Sequence, residues 1–151
     1  MNKRRQILKQ FVIKAIASRK KKTIDKWSSQ PGLTQQKVFN KLIKTASITK
    51  FGLDHNFNKI KSYSDYAKNT PIRDYEDFKS YIELIKKGEK NILWKGSPIY
   101  FAITSGTTSG TKYIPITKDS LQEHINASKN AILLYINETG NTNFISGKFI
   151  F

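Results

Sequence analysis

Apolar residues recur every three or four positions along three segments of the first 90 residues, which predicts amphipathic helices. The apolar positions of the first segment are Ile7, Leu8, Phe11, Val12, Ala15 and Ile16. Those of the second segment, which Thr34 is predicted to cap, are Val38, Phe39, Leu42, Ile43 and Ala46. Those of the third segment, between the predicted cap Asp74 and a stop at Gly88, are Tyr75, Phe78, Ile82 and Ile85. A short helix is also expected to start near Ser64 and Asp65.

The pattern changes at residue 91, where helical spacing gives way to a run of aromatic and β-branched residues. The segment NILWKGSPIYFAIT predicts an extended chain, and YIPIT, after a polar loop, predicts a second one that Pro115 confines to a sheet edge. Thr117 is predicted to cap a long helix from Lys118 to about Asn137, and the final GKFIF predicts the start of another strand. Because helices precede the first strands, we expect an α/β protein that takes an α+β form in this chain. Because the sequence stops within a strand pattern, we expect an N-terminal portion of a longer protein.

The composition excludes several classes of protein. The 151 residues suffice for one domain, and the 12% of aromatic residues argues against a disordered chain. No apolar run approaches the ~20 residues of a membrane-spanning helix, so no transmembrane segment is predicted. The absence of cysteine excludes disulfides and thiolate metal sites and fits a reducing, cytoplasmic location. The two histidines, His55 and His124, lie far apart, so we assign no metal site and expect a structural hydrogen bond at His55.

The positive charge is concentrated at the N-terminus. The formal net charge is +16, and the first 24 residues contain nine basic residues and no acidic one. We therefore divide the chain into a basic amphipathic helical arm, residues 1–27, and the incomplete N-terminal portion of a domain, residues 28–151. A mitochondrial transit peptide is a rival interpretation of the arm, but serine is scarce there, and we favour a helix whose apolar stripe packs on the domain. No nucleic-acid-binding motif is visible, and we expect no nucleic-acid partner.

One segment concentrates polar residues of a kind that binds phosphate. It consists of Thr104, Ser105, Gly106, Thr107, Thr108, Ser109, Gly110, Thr111 and Lys112. Glycines let backbone N–H groups point at an anion, hydroxyls add donors, and a lysine supplies positive charge. The spacing does not fit the Walker loop, because Gly106 and Gly110 are one residue too close together, and the dinucleotide fingerprint is absent. A flexible linker rich in serine and threonine is the alternative interpretation.

The motif F-x-x-T-S-G-T-T-S-G-x-K, residues 101–112, resembles the phosphate loop of the adenylate-forming superfamily, although Thr111 stands where the common motif has proline. Three further landmarks precede it in order: FG-x-x-H-x-F from Phe51, PIRDYE from Pro71, and YI-x-x-I-x-x-GE-x-N-x-LW from Tyr81. Together these motifs resemble the auxin-responsive promoter (Gretchen Hagen) family of acyl-acid amido synthetases in its bacterial form. The resemblance covers residues 30–151.

This resemblance implies a ligase that works in two steps with ATP and Mg²⁺. A carboxylic acid is adenylated with release of pyrophosphate, and an amino acid then attacks the acyl-adenylate to form an amide. The resemblance implies that Thr104–Gly110 bind the β- and γ-phosphates and that Lys112 neutralises the leaving pyrophosphate. It assigns no catalytic residue within this chain. It implies a small-molecule carboxylic acid and an amino acid as partners. We expect no activity from the chain alone. The alternative is a non-enzymatic basic binding module, whose arm contacts anionic lipid or nucleic acid and whose loop is a linker.

Overall fold

The computed structural model describes residues 3–104 and 110–143. In chain order its elements are α1 (Lys3–Ser28), α2 (Pro31–Ala46), α3 (Lys50–Asp54), a 3₁₀ turn (Phe57–Lys59), α4 (Tyr63–Asn69), α5 (Tyr75–Lys86), β1 (Tyr100–Thr104), β2 (Lys112–Ile116) and α6 (Lys118–Thr139). The two strands pair in antiparallel fashion. The predicted α/β class, in an α+β form with helices before the first strands, is confirmed. The strand predicted at residues 147–151 lies outside the described residues.

These elements form two compact units. One contains residues 35–121, and the other contains the described parts of residues 1–34 and 122–151. The predicted domain boundary after residue 27 stays a prediction. Within the described ranges, no helix is both long enough and apolar enough to cross a membrane.

Phe51, in α3, joins the two apolar clusters of the unit 35–121. The buried residues of these clusters are Ile43, Ala46, Phe57 and Ile60 in the first and Tyr81, Ile82, Ile85 and Ile92 in the second. The centroid of the Phe51 ring lies 5.8 Å from that of Phe57 and 5.5 Å from that of Tyr81. The N–H groups of Lys50 and Phe51 also donate to the carbonyls of Asn91 and Ile92, at 2.7 and 3.0 Å. One short helix therefore fixes both clusters and the segment that leads to β1.

The prediction of an extended chain over residues 91–99 is wrong, because β1 begins only at Tyr100. Asn91 has a φ of +56°, a left-handed conformation that asparagine tolerates well. Its backbone N–H donates to the carbonyl of Gly96 at 2.9 Å, and its side-chain oxygen accepts from the N–H of Gly96 at 2.7 Å. These two hydrogen bonds close a loop. Of the apolar residues that suggested a strand, Ile92 and Leu93 pack in the second cluster and Trp94 packs against the first.

Two predicted N-caps are confirmed. The side chain of Asp74 accepts from the N–H groups of Glu76 and Asp77 and forms a capping box with Asp77. The hydroxyl of Thr117 accepts from the N–H of Ser120 at 3.1 Å. The sequence therefore predicts the starts of α5 and α6, the two helices next to the hairpin in the chain.

The predicted cap at Thr34 is wrong, because α2 begins at Pro31. Proline suits the first position of a helix, since its ring fixes φ near the helical value and its missing N–H is not needed there. The hydroxyl of Thr34 donates instead to the carbonyl of Trp27 at 3.1 Å. The short helix predicted near Ser64 is present as α4, which Ser62 caps.

Helix α1 packs through a different side from the one that its apolar stripe predicts. The exposed apolar residues of this helix are Ile7, Leu8, Phe11, Val12 and Ile16. Ala17 is fully buried, and Nζ of Lys14 lies 3.7 Å from the position that a Cβ on Gly140 would take. At about 100° per residue, Ala17 lies on the opposite side of the helix from the stripe. Against the described residues of its own unit the stripe is therefore exposed, and the predicted packing on the domain that follows stays a prediction.

We expect Gly52→Ala to lower the free energy of unfolding by about 3 kcal/mol or more, because the new Cβ would overlap backbone. It would collide with the carbonyl oxygen of Ala46 and lie 2.8 Å from its carbonyl carbon. Gly32→Ala is the matched control: no heavy atom lies within 4 Å of its Cβ position in α2. We expect that change to be neutral or to raise stability by up to about 1 kcal/mol. Urea unfolding followed by circular dichroism measures both, and equal stability of the two variants would contradict the close approach of α3 to Ala46.

Helices α3 and α5 are in contact where the hydroxyl of Tyr81 donates to Oδ2 of Asp54 at 2.8 Å. This hydrogen bond, with a smaller contribution from Lys50, lowers the pKa of Asp54. A lowered pKa in the folded state gives stability above the unfolded pKa of about 3.9, and that stability is lost as the pH falls through the folded value. Tyr81→Phe should therefore cost about 1 kcal/mol near neutral pH, and this cost should shrink as the pH falls below the unfolded pKa of about 3.9. Urea titrations at several pH values measure this cost, and in an Asp54→Asn background its pH dependence should vanish. A cost that grows as the pH falls would contradict the hydrogen bond from Tyr81 to Asp54 as the cause of the lowered pKa.

Candidate functional site

The candidate site is the hairpin of β1 and β2, whose register places the ends of the polar loop opposite each other. The paired residues run from Tyr100 with Ile116 to Thr104 with Lys112. The last pair brings together the first and last residues of the predicted phosphate-binding segment. The predicted site residues Ser105, Gly106, Thr107, Thr108 and Ser109 lie outside the described residues. Thr104, Gly110 and Lys112 are described.

Gly110, just before β2, has a backbone conformation that favours glycine. Its φ is +78°, in the left-handed region that glycine adopts without steric cost. Apart from Gly110 itself and its two chain neighbours, no heavy atom of the described residues lies within 4 Å of the position that a Cβ would take. The requirement for glycine at this position is therefore conformational.

Helix α5 positions the β2 side of the hairpin through Tyr75, its first residue. The hydroxyl oxygen of Tyr75 accepts from the backbone N–H of Tyr113 at 2.9 Å. The ammonium of Lys112 lies 5.7 Å from the centroid of the same ring, within the range of a cation–π contact. One aromatic side chain thus contacts both the backbone next to the loop and the side chain of its terminal lysine.

A second contact from α5 comes from Lys86. Its ammonium lies 4.6 Å from the ring centroid of Tyr113 and pairs with Glu83 at 2.8 Å. The hydrogen bond from Lys86 to Glu83 raises the pKa of Lys86. Tyr113 also packs edge-on against Phe101 across the hairpin, with ring centroids 6.2 Å apart. The first and last turns of α5 together anchor β2.

The donor set at the base of the loop suits an anion. It comprises the hydroxyl of Thr104, the N–H of Gly110 and the ammonium of Lys112, and such groups bind phosphate oxygens. Among the described residues, no group of three or more histidine, cysteine, aspartate or glutamate side chains could hold a metal ion.

His55 has a structural role, as the sequence predicts. Its Nδ1 lies 2.7 Å from the carbonyl oxygen of Phe51, and its Nε2 lies 2.9 Å from the guanidinium of Arg73. Because arginine can only donate, Nε2 accepts and Nδ1 donates. The ring also stacks on that of Phe51, with centroids 4.1 Å apart. Both nitrogens are therefore used in hydrogen bonds, and one face of the ring is used in packing.

Sequence reasoning missed the anchoring residues Tyr75, Lys86 and Tyr113. The pattern places Tyr75 on the apolar face of α5, which is correct, but no local signal pairs it with a backbone group 38 positions later. The PIRDYE landmark contains Tyr75 next to the capping residue Asp74. That proximity of a cap and an aromatic residue is the only trace of the contact in the sequence.

Comparison with known proteins gives three findings. A model described as the GH3 family N-terminal domain matches residues 20–149. Indole-3-acetic acid-amido synthetase GH3.15 of Arabidopsis thaliana is 42% identical over 74 residues, which cover 47% of this chain and 12% of that protein. Indole-3-acetic acid-amido synthetase GH3.4 of the same species is 26% identical over 106 residues, which cover 70% of this chain and 17% of that protein. The matches thus span less than a fifth of either relative.

The anchoring role of Tyr75 can be tested with Tyr75→Phe, which keeps the ring near Lys112 but removes the acceptor for the Tyr113 N–H. We expect hydrogen exchange at the Tyr113 amide to accelerate about fivefold to tenfold, the equivalent of about 1 kcal/mol for one hydrogen bond. Tyr63→Phe is the matched control, because the Tyr63 side chain is 72% exposed. Exchange at Tyr113 as slow as in the wild type would show that α5 does not anchor the hairpin.

Proposed function

The chain belongs to the GH3 family, and we propose that it forms the phosphate-binding part of an ATP-dependent acyl-acid amido synthetase. In this proposal the intact protein adenylates a small-molecule carboxylic acid and joins it to an amino acid. The observation that carries the proposal is the anchored hairpin, in which strand register places Thr104 opposite Lys112 at the base of the loop. The matched relatives are much longer than this chain. We therefore propose that the sites for adenosine, acid and amine lie in a part of the intact protein that this chain does not contain.

In the proposed first step, an oxygen of the carboxylate attacks the α-phosphorus of ATP. The bond from that phosphorus to the oxygen bridging to the β-phosphate breaks, and pyrophosphate leaves with the electron pair. Negative charge therefore grows on the leaving group, where preorganised donors lower the barrier most effectively. The N–H of Gly110 and the hydroxyl of Thr104 would donate to this group together with Ser105–Ser109. Mg²⁺, held by phosphate oxygens, would offset part of the same charge.

Lys112 is proposed to supply the positive charge at the base of the loop. Its contact with the Tyr75 ring, 5.7 Å from ammonium to centroid, limits the positions that this long side chain samples. An ammonium held in place loses less entropy when it meets phosphate than one that is freely mobile. In the second step, the amine of the amino acid attacks the acyl carbonyl and AMP leaves; we assign no residue of this chain to that step.

The alternative, a non-enzymatic binding module with the loop as a linker, is less well supported. A linker does not require its two ends to be paired in a sheet, nor a helix that holds one of them by a hydrogen bond to the backbone. A cytoplasmic location is part of the proposal. The reaction needs ATP, and a chain without cysteine suits a reducing compartment. We expect no turnover from the chain on its own, and no nucleic-acid partner is part of the proposal.

The proposal is tested by substitutions in a protein that joins this chain to the remaining length of such a synthetase, with ATP–pyrophosphate exchange as the assay. Lys112→Ala should lower the exchange rate about 10²-fold to 10³-fold, if the ammonium stabilises charge in the transition state. Gly110→Val and Gly106→Val should lower it at least as much, because a β-branched side chain disfavours positive φ and blocks the approach of phosphate.

Lys90→Ala is the matched control, an exposed lysine outside the hairpin, and should leave the rate unchanged. Circular dichroism and thermal unfolding establish that each variant is folded. Normal exchange in both folded glycine variants would refute the phosphate-binding role and favour the linker.

A further inference from the structure

Helix α1 presents an apolar stripe on the side that its own packing leaves exposed. Ile7 is 58% exposed, Leu8 64% and Phe11 72%. At about 100° per residue these side chains, with Val12 and Ile16, occupy one continuous half of the helix. Exposed apolar residues so close together mark an interaction surface more often than isolated ones do.

Basic residues border this stripe on both sides. By the same helical geometry, Lys9 lies along one edge and Lys14 along the other. Arg5 precedes the stripe on its own side of the helix, and Arg19 and Lys22 follow it on that side. All five side chains are exposed. The first acidic residue of the chain is Asp25, which pairs with Lys21 at 2.6 Å, so no carboxylate precedes it to offset the charge around the stripe.

The buried side of the helix is narrow and faces its own unit. Ala17 is fully buried, and Lys14 lies beside Gly140. Electrostatic attraction to Glu138 contributes to the raised pKa of Lys21, after the hydrogen bond with Asp25. Apart from Lys14, which lies at the boundary between them, the packed side and the stripe are distinct, and the stripe can be covered without disturbing the burial of Ala17.

We propose that α1 binds the surface of an anionic lipid bilayer, lying in the plane of the membrane with Leu8, Phe11 and Val12 inserted at the level of the headgroups. A helix with basic borders and an apolar face fits such a surface. Its lysine and arginine side chains contact the charged headgroups, and its aliphatic and aromatic side chains enter the boundary with the acyl chains. The cytoplasmic leaflet carries the required negative charge. A nucleic acid would use the basic residues but would give no role to the apolar stripe.

The family match begins at residue 20, so the stripe lies outside it. Membrane binding by α1 is therefore independent of the proposed phosphate-binding hairpin, and the two proposals can fail separately. The hairpin, where the proposed adenylation chemistry lies, belongs to the other compact unit.

The experiment is sedimentation of the 151-residue chain with vesicles of phosphatidylcholine, alone or mixed with phosphatidylserine. We expect binding to the mixed vesicles that weakens as salt is added, and at least about tenfold weaker binding to phosphatidylcholine alone. The double variants Leu8→Ser with Phe11→Ser, and Arg5→Glu with Lys9→Glu, should each weaken binding at least about tenfold. In a background with Trp27 and Trp94 changed to Phe, the emission of Phe11→Trp should shift to shorter wavelength on binding.

Matched controls make the same changes elsewhere. Leu33→Ser and Ile72→Ser remove exposed apolar side chains outside the stripe, and Lys87→Glu with Lys90→Glu makes the same change in charge on exposed residues of the other unit. All of these should bind as the wild type does.

Three outcomes would overturn the proposal. Equal binding to both kinds of vesicle would remove the role of charge. Unchanged binding by Leu8→Ser with Phe11→Ser, together with competition by duplex DNA, would show a general polyanion site. A dimer in light scattering that the same apolar double variant dissociates would show that a second copy covers the stripe.

Discussion

The unit 35–121 depends on the position of one aromatic ring. Phe51 stacks on His55 and Phe78 and meets Phe57 and Tyr81 edge-on, and it packs against both apolar clusters. Its helix can occupy this position only because Gly52 permits close approach to the backbone of Ala46. The N–H groups of Lys50 and Phe51 then fix the segment before β1. The five-residue helix α3 thus supplies both the aromatic packing of this unit and the backbone hydrogen bonds to the segment before β1.

The hairpin receives its position from this core through α5. Tyr81, Ile82 and Ile85 bury one side of that helix in the second cluster, while Tyr75 and Lys86 extend from its two ends to Tyr113. Burial of three large side chains contributes several kcal/mol, more than one hydrogen bond or one cation–π contact. The apolar core therefore determines where α5 lies, and the weaker polar contacts determine where the hairpin lies on it.

Local signals in the sequence predict the longer helices, two of the N-caps and the two strands that flank the loop, but not α3 or the start of α2. Asp74 and Thr117 cap as predicted, because an N-cap needs only an acceptor and the N–H groups two or three residues later. The loop at Asn91 was not predictable from the apolar run, since a buried strand and a loop that packs its apolar side chains share that pattern. The contact of Tyr75 with Tyr113 and the outward direction of the α1 stripe depend on tertiary structure. The first joins positions far apart in sequence, and the second depends on which side of a helix its unit covers.

The central proposal is that residues 104–112 form a phosphate-binding loop on an anchored hairpin. Its most direct test is a titration of the isotopically labelled chain with magnesium pyrophosphate, followed by amide chemical shifts. We predict that the largest shifts fall on the amides of residues 104–112 and on Tyr113, and that they saturate. Shifts confined to the basic residues of α1, or none at all between Thr104 and Tyr113, would contradict the claim.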